Sequence, residues 1–228
     1  MTAHFNSLND AVLADVWEGR VETARRPGFY RNFGKRAFEA VLVVLSAPVV
    51  LPLAVLLALP ILMRGESPFF AQRRVGRGGR TFVMWKLRSM VSDADERLAR
   101  YLRENPEARE EWARHQKLRD DPRVTPYGRF LRKSSLDEIP QLWNVITGDM
   151  ALIGPRPMMP HQRALYHGLS YYAMRPGVSG YWQVSDRNDC EFAARAMFDD
   201  RYDREVSLVT DIGLILKTLR VMARGTGV

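Results

Sequence analysis

Two adjacent carboxylates, Asp137 and Glu138, stand in the stretch SSLDEIPQLWN, directly after a basic pair. An ionised carboxylate beside phosphate-binding cations can act as a nucleophile toward phosphorus. Because a carboxylate and a phosphate repel each other, such a site needs a neutralising cation. Mg²⁺ suits this role, since it prefers oxygen ligands and commonly bridges carboxylates to substrate phosphates. Asp137 and Glu138 are therefore candidate catalytic residues and candidate magnesium ligands.

The same residues have a purely structural interpretation. Ser135 could cap a helix, with Glu138 reaching back to close a capping box. Pro140 fits this poorly, because a proline at the fifth helical position would leave the carbonyl of Leu136 unpaired. If Ser135 is the cap, Asp137 lies in the first helical turn, where the helix dipole favours an ionised carboxylate and attracts phosphate. The residues alone leave both interpretations open.

Several arginines could supply bidentate hydrogen bonds to phosphate groups. They are Arg129, Arg132, Arg156, Arg175 and Arg187. Arg156 is flanked by Pro155 and Pro157, which restrict the backbone and reduce the entropy lost when the side chain binds an anion. Any single arginine of this kind is more often an ordinary surface cation than a functional residue.

The element that must position this chemistry is an apolar segment. Residues 40–63 carry no charge, and as a helix rising ~1.5 Å per residue they could cross ~30 Å of hydrocarbon. Pro48 and Pro52 each remove a helical hydrogen bond and free the carbonyls of Val44 and Pro48, a loss that the hydroxyl of Ser46 could partly offset. One alternative is a single transmembrane helix; the other is a re-entrant helix broken at Pro48.

Positive residues flank the apolar segment on both sides. They are Arg25, Arg26, Arg31, Lys35 and Arg36 before it, and Arg64, Arg73, Arg74, Arg77 and Arg80 after it. Positive flanks tend to remain cytoplasmic. Both ends of the segment are therefore predicted on the same side, which favours a helix that enters and leaves through one leaflet.

The remaining patterns predict a mostly helical domain with a small hairpin. Residues 8–24 read as a short helix, and FFAQRRV and RTFVMWKLR flank a glycine-rich turn at 76–79. Residues 92–120 predict two surface helices separated at Asn105-Pro106. The apolar stretch 206–222 with interleaved cations predicts a helix that either lies on the bilayer surface or completes the core.

The net charge and the cysteine and histidine content limit the classes of partner and metal that the protein is expected to bind. The 228 residues carry 34 Lys and Arg against 26 Asp and Glu, a net charge of +8 that favours anionic partners such as nucleic acid, lipid head groups or phosphorylated substrates. The single cysteine, Cys190, cannot form an internal disulfide, and four scattered histidines give no zinc-ligand pattern. We expect one domain in a reducing compartment.

Three long motifs resemble one known family. KLRSM (86–90), RKSSLDEIPQLWNVITGDMALIGPRP (132–157) and RPGVSGYWQV (175–184) are similar to motifs of the bacterial sugar transferases, the monotopic phosphoglycosyl transferases. The similarity runs from about Lys35 to the C-terminus. It implies an α+β, mostly helical fold on a monotopic membrane element, with a re-entrant helix-break-helix, a small β-hairpin and surface amphipathic helices. The corresponding division is an N-terminal extension (1–34), a re-entrant helix (35–64) and a cytoplasmic catalytic domain (65–228).

The resemblance implies transfer of a sugar 1-phosphate from a UDP-sugar to polyprenyl phosphate, usually undecaprenyl phosphate, with release of UMP. This reaction initiates exopolysaccharide or related glycan synthesis at the cytoplasmic face of the bacterial inner membrane. Asp137 would be the nucleophile that forms a covalent phosphosugar intermediate, and Glu138 would assist with Mg²⁺. The implied substrate-binding residues are Lys86, Arg88, Arg132, Arg156, Pro157, Arg175 and Arg187. The implied membrane break lies at Ser46 and Pro48.

The chain departs from the family pattern at two places. The break reads Ser46-Ala47-Pro48 rather than Ser-Pro, and SDRND follows WQV where an Asn-Gly-Arg-Asn-like run is common. The charged insert before DPRVTPYGRFLRK resembles members that transfer glucose or galactose phosphate. The expected partners are a UDP-sugar, undecaprenyl phosphate and membrane lipid, without nucleic acid; a homodimer is compatible with this.

Two other functions remain to be weighed. The first is a membrane-attached basic binding module without catalysis, in which the two acids only start a helix. The second is a glycosyltransferase that moves the sugar alone and releases UDP.

Overall fold

A computed structural model describes residues 28–185 and 192–224. The described part is mostly helical and contains two small two-stranded sheets, as the sequence patterns predict. The helix predicted at residues 8–24 lies outside the described residues.

The apolar segment forms one continuous helix. A π-helical turn, Tyr30–Gly34, leads into α1, Lys35–Leu62. This helix is long and apolar enough to cross a membrane by length and composition. It runs through Pro48, so the predicted interruption there is absent as a non-helical segment.

Ser46 does not compensate for the prolines in the expected way. Its hydroxyl donates a hydrogen bond of 2.9 Å to the carbonyl of Val43, which no proline frees, rather than to the freed carbonyl of Val44. The expected compensation of the proline loss by Ser46 is therefore wrong in this structure.

Both ends of α1 pack on the same body of the protein. Near its start, the buried Lys35 forms ion pairs with Glu39 and with Asp211. Near its end, the buried Leu57, Ala58 and Ile61 pack in one cluster. Between the two contacts the helix exposes most of its large side chains. These are Val44, Leu45, Val49, Leu51, Val55 and Leu56.

The predicted hairpin is confirmed. Strands β1, Phe69–Val75, and β2, Thr81–Leu87, pair antiparallel, with Phe69 opposite Leu87. The connection contains a 3₁₀ turn, Arg77–Gly79. In that turn Gly78 and Gly79 adopt φ of 68° and 76°, a conformation that costs glycine little.

The predicted pair of surface helices is confirmed as well. Helices α2, Ala94–Glu104, and α3, Pro106–His115, separate at Asn105. Pro106 occupies the first turn of α3, where the missing N–H breaks no helical hydrogen bond.

The remaining elements carry and surround the candidate site. They are α4 (Pro126–Lys133), a 3₁₀ turn (Leu136–Glu138), α5 (Gln141–Thr147), β3 (Ala151–Ile153), a 3₁₀ helix (Pro160–Leu165), α6 (Ser170–Ala173), β4 (Gly177–Ser179), α7 (Tyr181–Val184), a 3₁₀ turn (Phe192–Ala194), α8 (Arg195–Glu205) and α9 (Leu208–Arg224). Strands β3 and β4 are parallel, with Ala151 opposite Gly177.

A buried asparagine ties α5 to the hairpin. The side chain of Asn144 accepts a hydrogen bond of 3.1 Å from the N–H of Trp85 and donates one of 2.7 Å to the carbonyl of Val83. These two bonds replace strand partners that β2 lacks on this side. They set α5, and the turn that precedes it, against Lys86.

Helix α9 completes the core, which is one of the two alternatives that its sequence left open. Leu214 is buried in a core cluster, and Asp211 is buried beside α1. Val209, Leu216 and Leu219 are exposed. The helix therefore completes the core with one face and presents an apolar stripe with the other.

Candidate active site

The two acids lie in the 3₁₀ turn Leu136–Glu138 between α4 and α5. Ser135 adopts a left-handed conformation with φ of 57° and makes no side-chain capping bond. The capping-box interpretation is therefore wrong, and so is the placement of Asp137 in the first turn of an α-helix. A left-handed residue reverses the chain direction between two short helices, and this reversal aims the acids at the hairpin.

Lys86 of β2 bridges the two carboxylates. Its Nζ lies 2.7 Å from Oε1 of Glu138 and 3.4 Å from Oδ2 of Asp137. Asp137 is buried, with its side chain 6% exposed, whereas the side chains of Lys86 and Glu138 are 19% and 17% exposed. The site is thus accessible at one carboxylate and closed around the other.

Opposing effects act on the pKa of Asp137. Burial raises this pKa above its ordinary value, and the negative charge of Glu138 acts in the same direction. The cations Lys86 and Arg132 lower it. The pKa of Asp137 remains raised on balance, so the two cations offset the effect of burial only in part.

Arg132 is held in place from the hairpin side. Its Nε donates a hydrogen bond of 3.0 Å to the hydroxyl of Ser89. Ser89 is in turn packed against Gly128 of α4, where an added Cβ would lie 1.8 Å from the carbonyl oxygen of Ser89. Only glycine allows α4 to approach this closely, so the residue at 128 fixes the position of Arg132.

Arg156 reaches the dyad from the loop after β3. Its Nη1 lies 3.7 Å from Oε1 of Glu138. Next to it, the carbonyl of Pro157 accepts a hydrogen bond of 3.0 Å from Nη1 of Arg74 on β1. The loop is therefore attached to the hairpin, and its arginine faces the acids.

Two more arginines and a tryptophan extend the site, and none of them was predicted. The guanidinium carbon of Arg195 lies 4.2 Å from the ring centre of Trp182, and that of Arg156 lies 5.4 Å from the same centre. Burial, together with the charge of Arg156, lowers the pKa of Arg74 to about 10 and that of Arg195 to about 9. The repulsion between Arg156 and these two guanidiniums indicates an excess of positive charge in the cluster.

Buried polar atoms without partners accompany this cluster. Within residues 28–185 and 192–224, Nε of Arg74, Nε of Arg195, Nε1 of Trp182 and both amide atoms of Gln183 make no hydrogen bond. Since buried polar groups in native proteins are almost always paired, such a group of atoms calls for an explanation, and an absent anionic ligand is one. Trp182 and Gln183 lie in a motif already recognised from the sequence, whereas Arg195 had no sequence signal.

Three predicted site residues lie away from the dyad or outside the described part. Arg88 donates a hydrogen bond of 2.8 Å to the carbonyl of Ser67 and lies over Phe70. Arg175 lines a separate cavity at the start of α1. Arg187 falls in the segment 186–191, outside the described residues. The predicted membrane residues Ser46 and Pro48 lie in the exposed middle of α1.

The carboxylates of Asp137 and Glu138 are the candidate ligands for a magnesium ion. The described residues contain no group of three or more His, Cys, Asp or Glu side chains that could hold a metal ion. Two adjacent carboxylates, one of them accessible, nevertheless suit Mg²⁺, which needs only one or two carboxylates when substrate phosphates complete its coordination. Glu138 and Asp137 would be the residues that hold it.

Comparison with known proteins identifies the family. Residues 30–225 match the family model described as bacterial sugar transferase. The chain therefore belongs to the bacterial sugar transferase family.

Individual relatives agree with this membership. The chain is 44% identical over 198 residues to a UDP-galactose-lipid carrier transferase of Erwinia amylovora, and 42% identical over 198 residues to an undecaprenyl-phosphate galactose phosphotransferase of Salmonella typhimurium. Each alignment covers 86% of this chain but only 42% of the relative, so the chain spans less than half the length of these two proteins. The exopolysaccharide production protein ExoY of Sinorhizobium fredii is 40% identical over 199 residues, which cover 86% of this chain and 88% of that protein.

Proposed function

We propose that this protein transfers a sugar 1-phosphate from a UDP-sugar to a polyprenyl phosphate, through a covalent intermediate on Asp137, with release of UMP. The observation that carries the proposal is a buried carboxylate, Asp137, whose Oδ2 lies 3.4 Å from Nζ of Lys86 and whose neighbour Glu138 lies beside both Lys86 and Arg156. The charges of Lys86 and Arg132 act against the rise in the pKa of Asp137 that burial causes. The names of the relatives support the acceptor and the donor class. Two of them are named for undecaprenyl-phosphate or lipid-carrier transfer of galactose or its phosphate.

The first half-reaction follows from the position of Asp137. An oxygen of its carboxylate forms a bond to the phosphorus that bears the sugar, and the bond from that phosphorus to the UMP oxygen breaks. UMP leaves with the electron pair of that bond. Lys86 and Arg156 lie where they can neutralise the negative charge that the incoming diphosphate brings to the two carboxylates.

The second half-reaction restores the enzyme. An oxygen of polyprenyl phosphate forms a bond to the same phosphorus, and the bond to Asp137 breaks, which returns the free carboxylate. Mg²⁺ bound at Glu138 and Asp137 would neutralise the charge shared between carboxylate and phosphate. Because each step exchanges one phosphorus–oxygen bond for another, no oxidant or further reactant is needed.

The arginine and tryptophan cluster is suited to the nucleotide part of the donor. Arg74, Arg156 and Arg195 form an excess of positive charge beside Glu138. The phosphate of UMP would match that excess with bidentate hydrogen bonds. The aromatic face of Trp182 and the unpaired amide of Gln183 could meet an aromatic base that both donates and accepts hydrogen bonds.

The same proposal embeds α1 in the inner membrane with both of its ends and the domain on the cytoplasmic face. An unbroken helix would reach this re-entrant arrangement by bending at Pro48 and Pro52 rather than through a non-helical break. A helix that crosses the bilayer separates its ends by ~30 Å of hydrocarbon. Here Lys35 at one end pairs with Asp211, and Leu57 near the other end packs with Leu87 and Leu131, all within one domain. Contact of both ends with one domain favours a single membrane face.

Topology can be read from cysteine labelling. In a Cys190→Ser background, Asn32→Cys and Ser67→Cys place a thiol before and after α1. Both should react with a membrane-impermeant maleimide from the cytoplasmic face of inverted membrane vesicles, and neither from the periplasmic face of spheroplasts. Labelling of the two positions from opposite faces would rule out the re-entrant arrangement.

The reaction class can be read from the released nucleotide. The detergent-purified protein is incubated with Mg²⁺, undecaprenyl phosphate and a panel of UDP-sugars, including UDP-galactose and UDP-glucose. We expect UMP with one donor; UDP would indicate transfer of the sugar alone, and no turnover would favour a binding module. The same panel identifies the sugar.

The covalent step has its own test. Asp137→Asn keeps the shape of the side chain but removes the nucleophilic charge, so transfer should fall at least ~10³-fold, whereas Asp120→Asn at an exposed site should remain fully active. With the donor alone, mass spectrometry of the quenched wild-type protein should find phosphosugar on the peptide that contains Asp137. Full activity of Asp137→Asn, or turnover without any such adduct, would refute the mechanism.

A further inference from the structure

A cavity separate from the candidate active site opens at the start of α1. Its volume is about 60 Å³, large enough for several waters and hence for one phosphate group. Four of its lining residues are cationic, namely Arg31, Lys35, Arg77 and Arg175. Among the described residues that line it none is acidic, and neither Asp137 nor Glu138 lines it.

The four cations come from separate parts of the chain. Arg31 and Lys35 lie at the base of α1, Arg77 lies in the hairpin turn, and Arg175 precedes β4. Arg31 and Lys35 are held by carboxylates behind the cavity wall: Arg31 contacts Asp203, and Lys35 pairs with Glu39 and Asp211. The charges of Arg31 and Lys35 are offset by these carboxylates, whereas Arg77 and Arg175 bring two further cations to the cavity from the hairpin turn and from the residues before β4. Several cations that line one small cavity create a positive potential that favours an anion.

The position of the cavity along α1 points to the kind of anion. Lys35 is the first residue of α1, so the membrane placement proposed above would put the cavity at the level of the lipid phosphates. The exposed aromatic rings of Phe29 and Phe33, 83% and 71% exposed, flank this base, and the exposed Val209 begins the apolar stripe of the neighbouring α9. Aromatic residues are enriched at that level, and basic pockets beside membrane helices bind lipid head groups there.

We propose that this cavity binds the phosphate group of an anionic phospholipid and so anchors the start of α1 to the head-group layer. The site rests on the membrane placement proposed above but not on the transfer reaction. Arg175, expected to bind substrate at the dyad, would serve this second site instead. The cavity would hold only the phosphate group of the lipid, and the lipid tails would lie along the exposed side of α1.

The test measures lipid binding rather than turnover. The full chain in a zwitterionic detergent is titrated with short-chain phosphatidylglycerol, and the unfolding temperature is followed, since a ligand that binds only the folded state raises it with concentration. Short-chain phosphatidylcholine serves as the neutral-headgroup comparison. We expect a saturable increase with phosphatidylglycerol and little with phosphatidylcholine.

Two variants distinguish binding in the cavity from non-specific attraction to the positive surface. Arg77→Gln removes a lining cation, whereas Arg80→Gln removes an exposed cation of the same turn that does not line the cavity. Loss of one charged contact should weaken phosphatidylglycerol binding on the order of tenfold for Arg77→Gln and leave it nearly unchanged for Arg80→Gln. Arg175→Gln should repeat the effect of Arg77→Gln. Equal losses for the two turn variants would overturn the proposal.

Two further arms distinguish the source of the phosphate. If undecaprenyl phosphate displaces phosphatidylglycerol at far lower concentration, the cavity is an acceptor site and the phospholipid proposal fails. The proposal would also be overturned if inorganic phosphate competed with phosphatidylglycerol at equal concentration, because the lipid part of the ligand would then contribute nothing to the affinity. Transfer activity of the same preparations is measured in parallel, so that failure of the lipid site and failure of the proposed reaction remain distinguishable.

Discussion

Replacement of Lys35 by methionine should strongly destabilise the protein. Nζ of Lys35 lies 2.7 Å from Oε1 of Glu39 and 2.6 Å from Oδ2 of Asp211. The side chains of these two carboxylates are only 2% and 1% exposed. Methionine fills a similar volume but leaves both acids without their shared cation, at the point where α1 joins α9.

The size of the effect follows from burial. Removal of one partner from a buried ion pair costs about 3–5 kcal/mol, because an uncompensated charge remains. For a chain of this size, each kcal/mol lowers the unfolding temperature by roughly 2–4 °C. Lys35→Met should therefore lower it by about 6–20 °C. Part of this loss is softened because Glu39 also accepts hydrogen bonds from the N–H groups of Leu152 and Ile153.

The assay compares thermal unfolding of purified variants in one detergent at one pH. An exposed ion pair provides the control: Arg97 and Asp93 lie 2.8 Å apart, with side chains 48% and 46% exposed. Arg97→Met should change stability by no more than about 1 kcal/mol. Adding Asp211→Asn to Lys35→Met should recover stability, since one of the two stranded charges is removed. If Lys35→Met and Arg97→Met unfold at the same temperature, the role assigned to this buried cluster is refuted.

Two further predictions concern the arginine and tryptophan cluster and its support. Burial raises the pKa of Asp199, which lies beside the Arg195 guanidinium, to about 7. Because the folded protein then holds this proton more tightly than the unfolded chain, the group stabilises the fold at acid pH. That contribution to the free energy of unfolding, on the order of 4 kcal/mol, is lost as the pH rises from about 4 to about 7. In the structure the hydroxyl of Tyr166 donates a hydrogen bond of 2.6 Å to Oδ2 of Asp199, and the amide oxygen of Asp199→Asn can still accept it. This variant should flatten the pH dependence of stability in unfolding experiments from pH 5 to pH 8.5, and an unchanged slope would contradict the prediction. Trp182→Leu removes the ring beside two guanidiniums and should raise KM for the UDP-sugar about 2- to 30-fold at nearly constant kcat, with Trp182→Phe intermediate; a loss in kcat alone would argue against a role in donor binding.

Local patterns in the sequence predicted the elements well where neighbouring residues decide them. The hairpin follows from alternating strands around a turn in which Gly78 adopts positive φ, and the separation of α2 from α3 follows from Pro106. Uncharged length alone predicted α1. In each case the cause lies within a few residues of the effect.

Short-range reasoning was wrong where packing overrides local preference. Ser135 looks like a helix cap, yet it adopts a left-handed conformation, because α4 and α5 are each held by contacts that the sequence does not reveal. Gly128 allows α4 to approach Ser89, and Asn144 attaches α5 to the hairpin. The chain between them has to turn sharply.

Residue types and motifs were enough to identify the chemistry: adjacent acids, the arginine between two prolines, an apolar segment with positive flanks, and motifs that match the family. The contacts of the acids are known only from the folded domain. It brought Lys86 and Arg156 to the dyad, added Arg74 and Arg195, and moved Arg175 to a cavity at the base of α1. Charges act through distances in space, and contacts between residues that are far apart in the chain are set by packing of the whole domain rather than by any local pattern.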